Sequence, residues 1–252
     1  MRQLNRLPTA GRTDQNKVLN FTFNGKGYQG VAGDTLASAL LANGVDVVGR
    51  SFKYARPRGI FGHGPEEPNA IIQLGSGAAT IPNLKATQVE LYEGLEAASV
   101  NGWPSVNFDL MGLIGAFGRL MPPGFYYKTF MWPKAFWEKF YEPAIRNAAG
   151  LGTLSTEPDP DTYDKGFRYC DILIIGAGAT GLSAAITAAS SGAKVILADE
   201  DFLMGGRLNT ESLKINGMSG SKWAKDTVAA LSAMENVTLM SDTTIFGVYD
   251  HG

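Results

Sequence analysis

Leu19, Phe21 and Phe23 alternate with polar neighbours and run into Asn24-Gly25, beyond which Lys26 to Val31 resumes an extended pattern. Asn-Gly favours a type I′ turn because both residues tolerate positive φ, so the pattern predicts a β-hairpin. Gly33-Asp34-Thr35 then precedes Leu36, Ala39 and Leu40 at helical spacing, ending at Asn43-Gly44. Asp34 or Thr35 is expected to cap this helix, with Gly44 as its left-handed terminator. Further short strands are expected at residues 70–74 and 87–92. A hairpin, one crossing helix and more strands predict a small β-grasp sheet.

The pattern changes over residues 101–168. Between Phe125 and Tyr141 stand nine aromatic residues: Phe125, Tyr126, Tyr127, Phe130, Trp132, Phe136, Trp137, Phe140 and Tyr141. Two readings are open, a helical arm packing on its own neighbouring domains and a surface that docks another subunit, since so much aromatic area is not left exposed. Residues 110–121 are apolar and glycine-rich but are interrupted by Arg119 and are too short to span a bilayer. Glu157-Pro158-Asp159-Pro160-Asp161 reads as a stiff acidic linker.

Residues 170–175 form a short apolar run of the kind expected where helices cover both faces of a parallel sheet. The run enters Gly176-Ala177-Gly178-Ala179-Thr180-Gly181, followed by an alanine-rich helix that stops near Gly192. A second strand over 194–198 ends at Asp199-Glu200. Gly176 permits the tight turn, Gly178 lets a pyrophosphate approach the backbone, and Gly181 permits close helix–strand packing. Thr180 belongs to the same turn. Asp199 and Glu200 stand where a carboxylate meets an adenosine ribose, a charge that disfavours a 2′-phosphate and hence NADP. Gly205-Gly206-Arg207 follows; the glycine pair resembles one that two-dinucleotide-binding flavoproteins carry at this distance, which implies a backbone passing the cofactor, and Arg207 is read either near a phosphate or in a solvated loop. Residues 236–240 and 243–249 are expected to be strands, and Phe246 is expected to border the adenine.

Composition narrows the chemistry. With 22 Lys plus Arg against 24 Asp plus Glu, a net charge of -2 gives no argument for a nucleic-acid partner. One cysteine excludes a disulfide framework and an all-cysteine metal or iron–sulfur site, and two histidines leave little for any other metal site. His63 reads as a loop histidine and Cys170 as a small core residue. No nucleophile stands with a base, so no catalytic or metal-ligating residue is expected in this chain. The polar start, residues 1–17, has no apolar core, and no run is long enough for a membrane span, so a cytoplasmic location is the expectation.

Three segments carry a resemblance to a known family. Gly33-Asp-Thr-Leu-Ala-Ser-Ala-Leu-Leu-Ala-Asn-Gly44, Ser51-Phe-Lys-Tyr-Ala-Arg-Pro-Arg-Gly-Ile-Phe61 and Ile175-Gly-Ala-Gly-Ala-Thr-Gly-Leu-Ser-Ala-Ala185 resemble the alpha subunits of heterotetrameric sarcosine oxidases, and the likeness extends over most of Lys17 to Gly252. The resemblance implies an α+β unit followed by an α/β unit: a ferredoxin-like β-grasp domain and an incomplete Rossmann-type domain binding NAD. The family oxidises the N-methyl amine sarcosine to glycine and hydrogen peroxide, with tetrahydrofolate accepting the one-carbon unit. It implies beta, gamma and delta subunits as partners, with FAD in the beta subunit and FMN near the alpha–beta contact. Related opine oxidase and hydrogen cyanide synthase subunits carry cluster cysteines as C-x4-C-x2-C, and the ungapped positions here are Gly62, Glu67 and Ala70. The resemblance therefore implies a cluster-less branch. Arg56 and Arg58 beside this segment are read either as contacts to a partner or phosphate or as solvated loop residues. The resulting division is an arm (1–16), the β-grasp domain (17–100), the aromatic connector (101–168) and the nucleotide domain (169–252). Two alternatives stay open: an FAD-binding subunit of a related amine or opine dehydrogenase, and a non-catalytic assembly module.

Overall fold

Asn24 and Gly25 both take positive φ, 52° and 73°, and from this turn two antiparallel strands extend, β1 (Asp14–Phe23) and β2 (Lys26–Ala32). The computed structural model describes residues 3, 5–7, 12–110, 112–113, 124, 130 and 132–249. The chain divides into two units, Met1–Asp161 and Thr162–Gly252.

In the first unit, α1 (Leu36–Ala42) follows the hairpin, and Thr35 is its N-cap. The Thr35 hydroxyl accepts from the Ser38 N–H at 3.1 Å while the Ser38 hydroxyl accepts from the Thr35 N–H at 3.0 Å. That reciprocal box satisfies two of the helix-start donors. Asp34, the other candidate cap, is buried and instead accepts the Val31 N–H at 2.9 Å and pairs with Arg6 of the N-terminal arm. Gly44 takes φ 72° just past the helix, as expected.

Three more strands complete a mixed sheet: β3 (Ile71–Leu74), β4 (Ile81–Lys85) and β5 (Leu95–Ser99). Their order is β2-β1-β5-β3-β4, with β1 and β5 parallel and the other neighbours antiparallel. Leu19, Phe21 and Phe23 face Leu36, Leu40, Ile72 and Leu95 in one buried cluster, as the alternation of β1 requires. The strand expected over 87–92 does not form. Residues 86–91 instead cross the start of α1, where the carbonyls of Val89 and Ala86 accept the Leu36 and Ala37 N–H groups at 2.8 and 2.9 Å. The segment spends its acceptors on the helix start instead of a ladder.

Between α1 and β3 the loop closes around Glu67, whose side chain is 1% exposed. Its Oε2 accepts the N–H groups of Phe61 and Gly62, and its Oε1 those of Asn69 and Ala70. Burial pushes this carboxyl up, but the four donors outweigh it and hold the pKa below the ordinary glutamate value.

Of the aromatic connector, Phe125, Tyr126 and Tyr127 and most of residues 110–121 lie outside the described residues. The remainder winds through single turns at Lys134–Phe136 and Trp137–Tyr141 into α2 (Glu142–Ala149). Phe136 packs edge-on against Phe140 with ring centres 5.2 Å apart, while Trp132 is 82% exposed. Arg50 ties the start of the connector down, donating to the carbonyls of Val106 and Asn107.

The second unit is a three-stranded parallel sheet in the order β8-β7-β6, built from β6 (Ile172–Ile175), β7 (Val195–Ala198) and β8 (Val237–Met240). The helices α3 (Ala179–Ser190) and α4 (Gly220–Ser232) make the two crossovers. Leu182, Ala185, Val195, Leu197, Ala224 and Leu231 form their common core. Three expectations are corrected. Strand β6 is not covered on both faces, because Ile172, Leu173 and Ile175 are 41%, 45% and 59% exposed, and Cys170 ahead of it is half-buried. Residues 243–249 are not a strand: after the Thr243 N–H donates to the Asp199 carbonyl at 2.9 Å, the chain leaves the sheet as coil. No helix among the described residues is long and apolar enough to cross a membrane.

Leu40→Ala should cost about 2–5 kcal/mol by chemical denaturation, since Leu40 is fully buried and its cavity cannot collapse freely. The lowered pKa of Glu67 gives a second expectation. A carboxyl bound more tightly as its anion in the folded state stabilises fully above the unfolded value, about pH 4.3, and less as pH falls below it. Glu67→Gln should therefore be less stable at neutral pH, and its melting temperature should decline less on acidification than that of the parent.

Candidate nucleotide site at the glycine-rich turn

Strand β6 ends where the Gly176 N–H donates to the Ala198 carbonyl at 2.8 Å, and Gly176 turns the chain with φ +92°. Gly178 is the N-cap of α3 in extended conformation, and no side chain caps the helix. The first-turn N–H groups at Ala179, Thr180 and Gly181 are therefore not claimed by a capping side chain, and the helix dipole adds positive potential in front of them. A Cβ built on Gly176 or Gly178 meets nothing within 4 Å, whereas one on Gly181 would lie 1.8 Å from the Gly176 carbonyl oxygen. The three glycines thus do different work. Gly181 lets helix and strand touch, while Gly176 and Gly178 leave an open cradle that an anion such as a pyrophosphate fits.

Asp199, at the end of β7, is 8% exposed and faces the turn. Its Oδ2 accepts the Ala177 N–H and its Oδ1 accepts the Asp201 N–H at 2.8 Å. Both oxygens hold main chain, so the carboxylate fixes the glycine turn onto β7. Glu200 beside it is exposed. The Gly205-Gly206 pair lies against the same turn: the Gly205 N–H donates to the Ala177 carbonyl at 2.9 Å, and a Cβ on Gly206 would lie 3.2 Å from Gly178 Cα. Gly205 takes φ 132° and Gly206 φ 50°, conformations that favour glycine. Arg207 pairs with Glu211 one helical turn on, at 2.6 Å. Phe246 is 87% exposed on the coil after β8, and nothing in the structure ties it to the turn. The structure thus brings Gly176, Gly178, Thr180, Gly181, Asp199, Gly205 and Gly206 together. Sequence reasoning missed the main-chain groups of Ala177 and Asp201 on which Asp199 acts, because main-chain donors leave no mark on residue type.

In the first unit, an open cavity of about 390 Å³ is lined by Arg50, Asn101, Trp103 and Asp109 among others. Asn101 exchanges hydrogen bonds with the Arg50 main chain and Asp109 accepts from the Trp103 N–H, so these polar groups serve the loop itself. Arg56 stacks over the Tyr54 ring at 4.6 Å, and Arg58 donates to the Asn69 side chain. Gly62, Glu67 and Ala70 offer no thiolate, the chain's one cysteine lies in the second unit, and among the described residues no three His, Cys, Asp or Glu side chains are grouped to hold a metal.

Comparison with known proteins adds to this geometry. Residues 16–102 match a family of 2Fe-2S iron-sulfur cluster binding domains, and residues 171–239 match the FAD dependent oxidoreductase family. The chain is 55% identical over 97% of its length to the sarcosine oxidase subunit alpha of Rhizobium meliloti (strain 1021), and 33% identical over 98% to that of Corynebacterium sp. (strain U-96). It spans 25% and 21% of the lengths of these relatives. The expected resemblance to sarcosine oxidase alpha subunits therefore holds across nearly the whole chain. Among solved structures, the L-proline dehydrogenase from P. horikoshii aligns with all of this chain and 38% of its own at a TM-score of 0.55 and 20% identity, a likeness of fold.

Gly178→Ala should leave the unfolding free energy within about 0.5 kcal/mol of the parent, because its Cβ points into open space at an ordinary φ of -71°. Gly181→Ala should destabilise the second unit by about 2 kcal/mol or more, since its Cβ collides with backbone. Thermal denaturation of the two variants side by side checks both.

Proposed function

We propose that this chain is the nucleotide-binding and scaffolding part of an alpha-type subunit in a sarcosine oxidase complex. The complex would oxidise the N-methyl amine sarcosine to glycine and hydrogen peroxide and pass the one-carbon unit to tetrahydrofolate. Beta, gamma and delta subunits complete it, FAD and FMN are held at their own sites, and the assembly works in the cytoplasm. Identity of 55% across 97% of this chain with one such alpha subunit supports this reading. The observation that carries the role of this chain is the open cradle at Gly176 and Gly178 in front of an uncapped helix.

NAD is the nucleotide we assign to that cradle. Gly176, Gly178, Thr180 and Gly181 would hold the pyrophosphate, with the passing Gly205-Gly206 backbone beside it. The exposed Glu200 would accept the ribose hydroxyls, and the buried Asp199 would act through the Ala177 N–H as a positioning residue. Arg207 would reach a phosphate only by leaving Glu211, and Phe246 would border the adenine only if the coil after β8 folds back. Bound there, the nucleotide serves structure or regulation, and the amine chemistry takes place at flavin in another subunit. The second unit reads as the beginning of a Rossmann-type domain over 169–252, and the β-grasp domain over 17–100 reads as free of an iron–sulfur cluster. A second reading puts FAD in the same cradle, as in a related amine dehydrogenase. The match of residues 171–239 to an FAD dependent oxidoreductase family favours it, since NAD and FAD present the same ADP moiety.

Mass spectrometry of the cofactors released from the purified complex separates the readings. NAD together with FAD and FMN is expected, and FAD without NAD would overturn the assignment. Gly178→Ala should lose the nucleotide while keeping its fold. Glu200→Gln should weaken nucleotide retention about ten- to a hundredfold, the worth of a hydrogen bond to a charged group.

A further inference from the structure

The loop around Glu67 has the main-chain chemistry of a cluster-binding loop and none of its ligands. Residues 16–102 match a 2Fe-2S cluster binding family, and such clusters hang on thiolates at C-x4-C-x2-C spacing, here Gly62, Glu67 and Ala70. An iron–sulfur centre with thiolate ligands is an anion, and main-chain N–H groups of its loop point at the sulfurs. In this chain four such donors converge on one carboxylate. Phe61 and Gly62 donate to Oε2, the former at 2.7 Å, while Asn69 and Ala70 donate to Oε1 at 2.7 and 3.1 Å.

We propose that the Glu67 carboxylate is the anionic centre of this loop, an all-protein replacement for the cluster that makes the domain redox-silent. Three observations agree. The side chain is 1% exposed, so no solvent shares its oxygens, and Ala70 is fully buried beside it. A Cβ on Gly62 would lie in van der Waals contact with the backbone of Glu66 and Glu67 at 3.4–3.5 Å, so the loop packs closely around the carboxylate. The rest of the loop is pinned independently, Thr87 donating to the Gly64 carbonyl at 2.7 Å and Lys85 to that of Pro65. A carboxylate supplies the negative charge without an accessible oxidation state, so the loop keeps its shape while the domain carries no electrons.

This inference rests on reading the N-terminal domain as cluster-free, and one experiment separates the two. The assembled complex, purified anaerobically from iron-replete cells, is assayed for iron and for a low-temperature EPR signal after dithionite reduction. Amide hydrogen exchange is then followed in the parent, Glu67→Gln and Glu67→Ala. The expected result is no stoichiometric iron, with exchange at the amides of Phe61, Gly62, Asn69 and Ala70 rising at least about tenfold in Glu67→Ala and less in Glu67→Gln. Flavin reduction by substrate should be unchanged in both. Stoichiometric iron with a cluster signal in the parent would overturn the cluster-free reading and the inference together. No iron, but unchanged exchange at those four amides, would overturn the inference alone. Should Glu67→Ala fail to accumulate, Glu67→Gln decides by the same four amides.

Discussion

A carboxylate taken out of water is costly unless donors surround it, and both units are organised around this constraint. Asp34, Glu67 and Asp199 are the buried carboxylates among the described residues, and each accepts main-chain N–H groups of a tight turn. Asp34 closes the link from β2 to α1, Glu67 closes the loop before β3, and Asp199 locks the glycine turn to β7. At Glu67 and Asp199 main-chain N–H donors stabilise the charge, and at Asp34 the Arg6 guanidinium pairs with it as well. The turns are rigid because opening one would leave a buried anion without its donors.

This arrangement divides the work at the nucleotide cradle. Function at a glycine-rich turn needs two things that pull in opposite directions: an open space with unclaimed donors, and a backbone that stays put when nothing fills it. Gly176 and Gly178 provide the first. Asp199, the Gly205 N–H and the close approach at Gly181 provide the second. The acid that holds the turn, Asp199, therefore differs from its exposed neighbour Glu200, the one that the proposed nucleotide would meet.

In the reading proposed above, the first unit uses the same device in the segment that matches a 2Fe-2S cluster binding family. A domain matched to 2Fe-2S proteins keeps the mixed sheet, the crossing helix and the loop, with the loop's donors turned onto a side chain. Without the carboxylate these four N–H groups would lose their shared acceptor, most costly at the buried Ala70. A single glutamate at the middle ligand position resolves this, because two oxygens with two lone pairs each accept all four donors.

Much of this was legible in the residues alone. The β1–β2 hairpin follows from alternation and Asn24-Gly25, α1 from its cap candidates and helical spacing, and the parallel β6–β7–β8 unit from apolar runs punctuated by Gly176-x-Gly178-x-x-Gly181 and Gly192. These signals are local, since turn chemistry and side-chain periodicity act within a few residues. Tertiary structure alone decided the rest. It placed residues 86–91 across the start of α1 instead of in the sheet and left residues 243–249 as coil. It also turned Asp199 inward while leaving Glu200 exposed, and drew four amides onto Glu67. In each of these the deciding partner is a main-chain N–H or C=O brought close by the fold. Every residue type carries those groups, so their pairing exists only once the chain is folded.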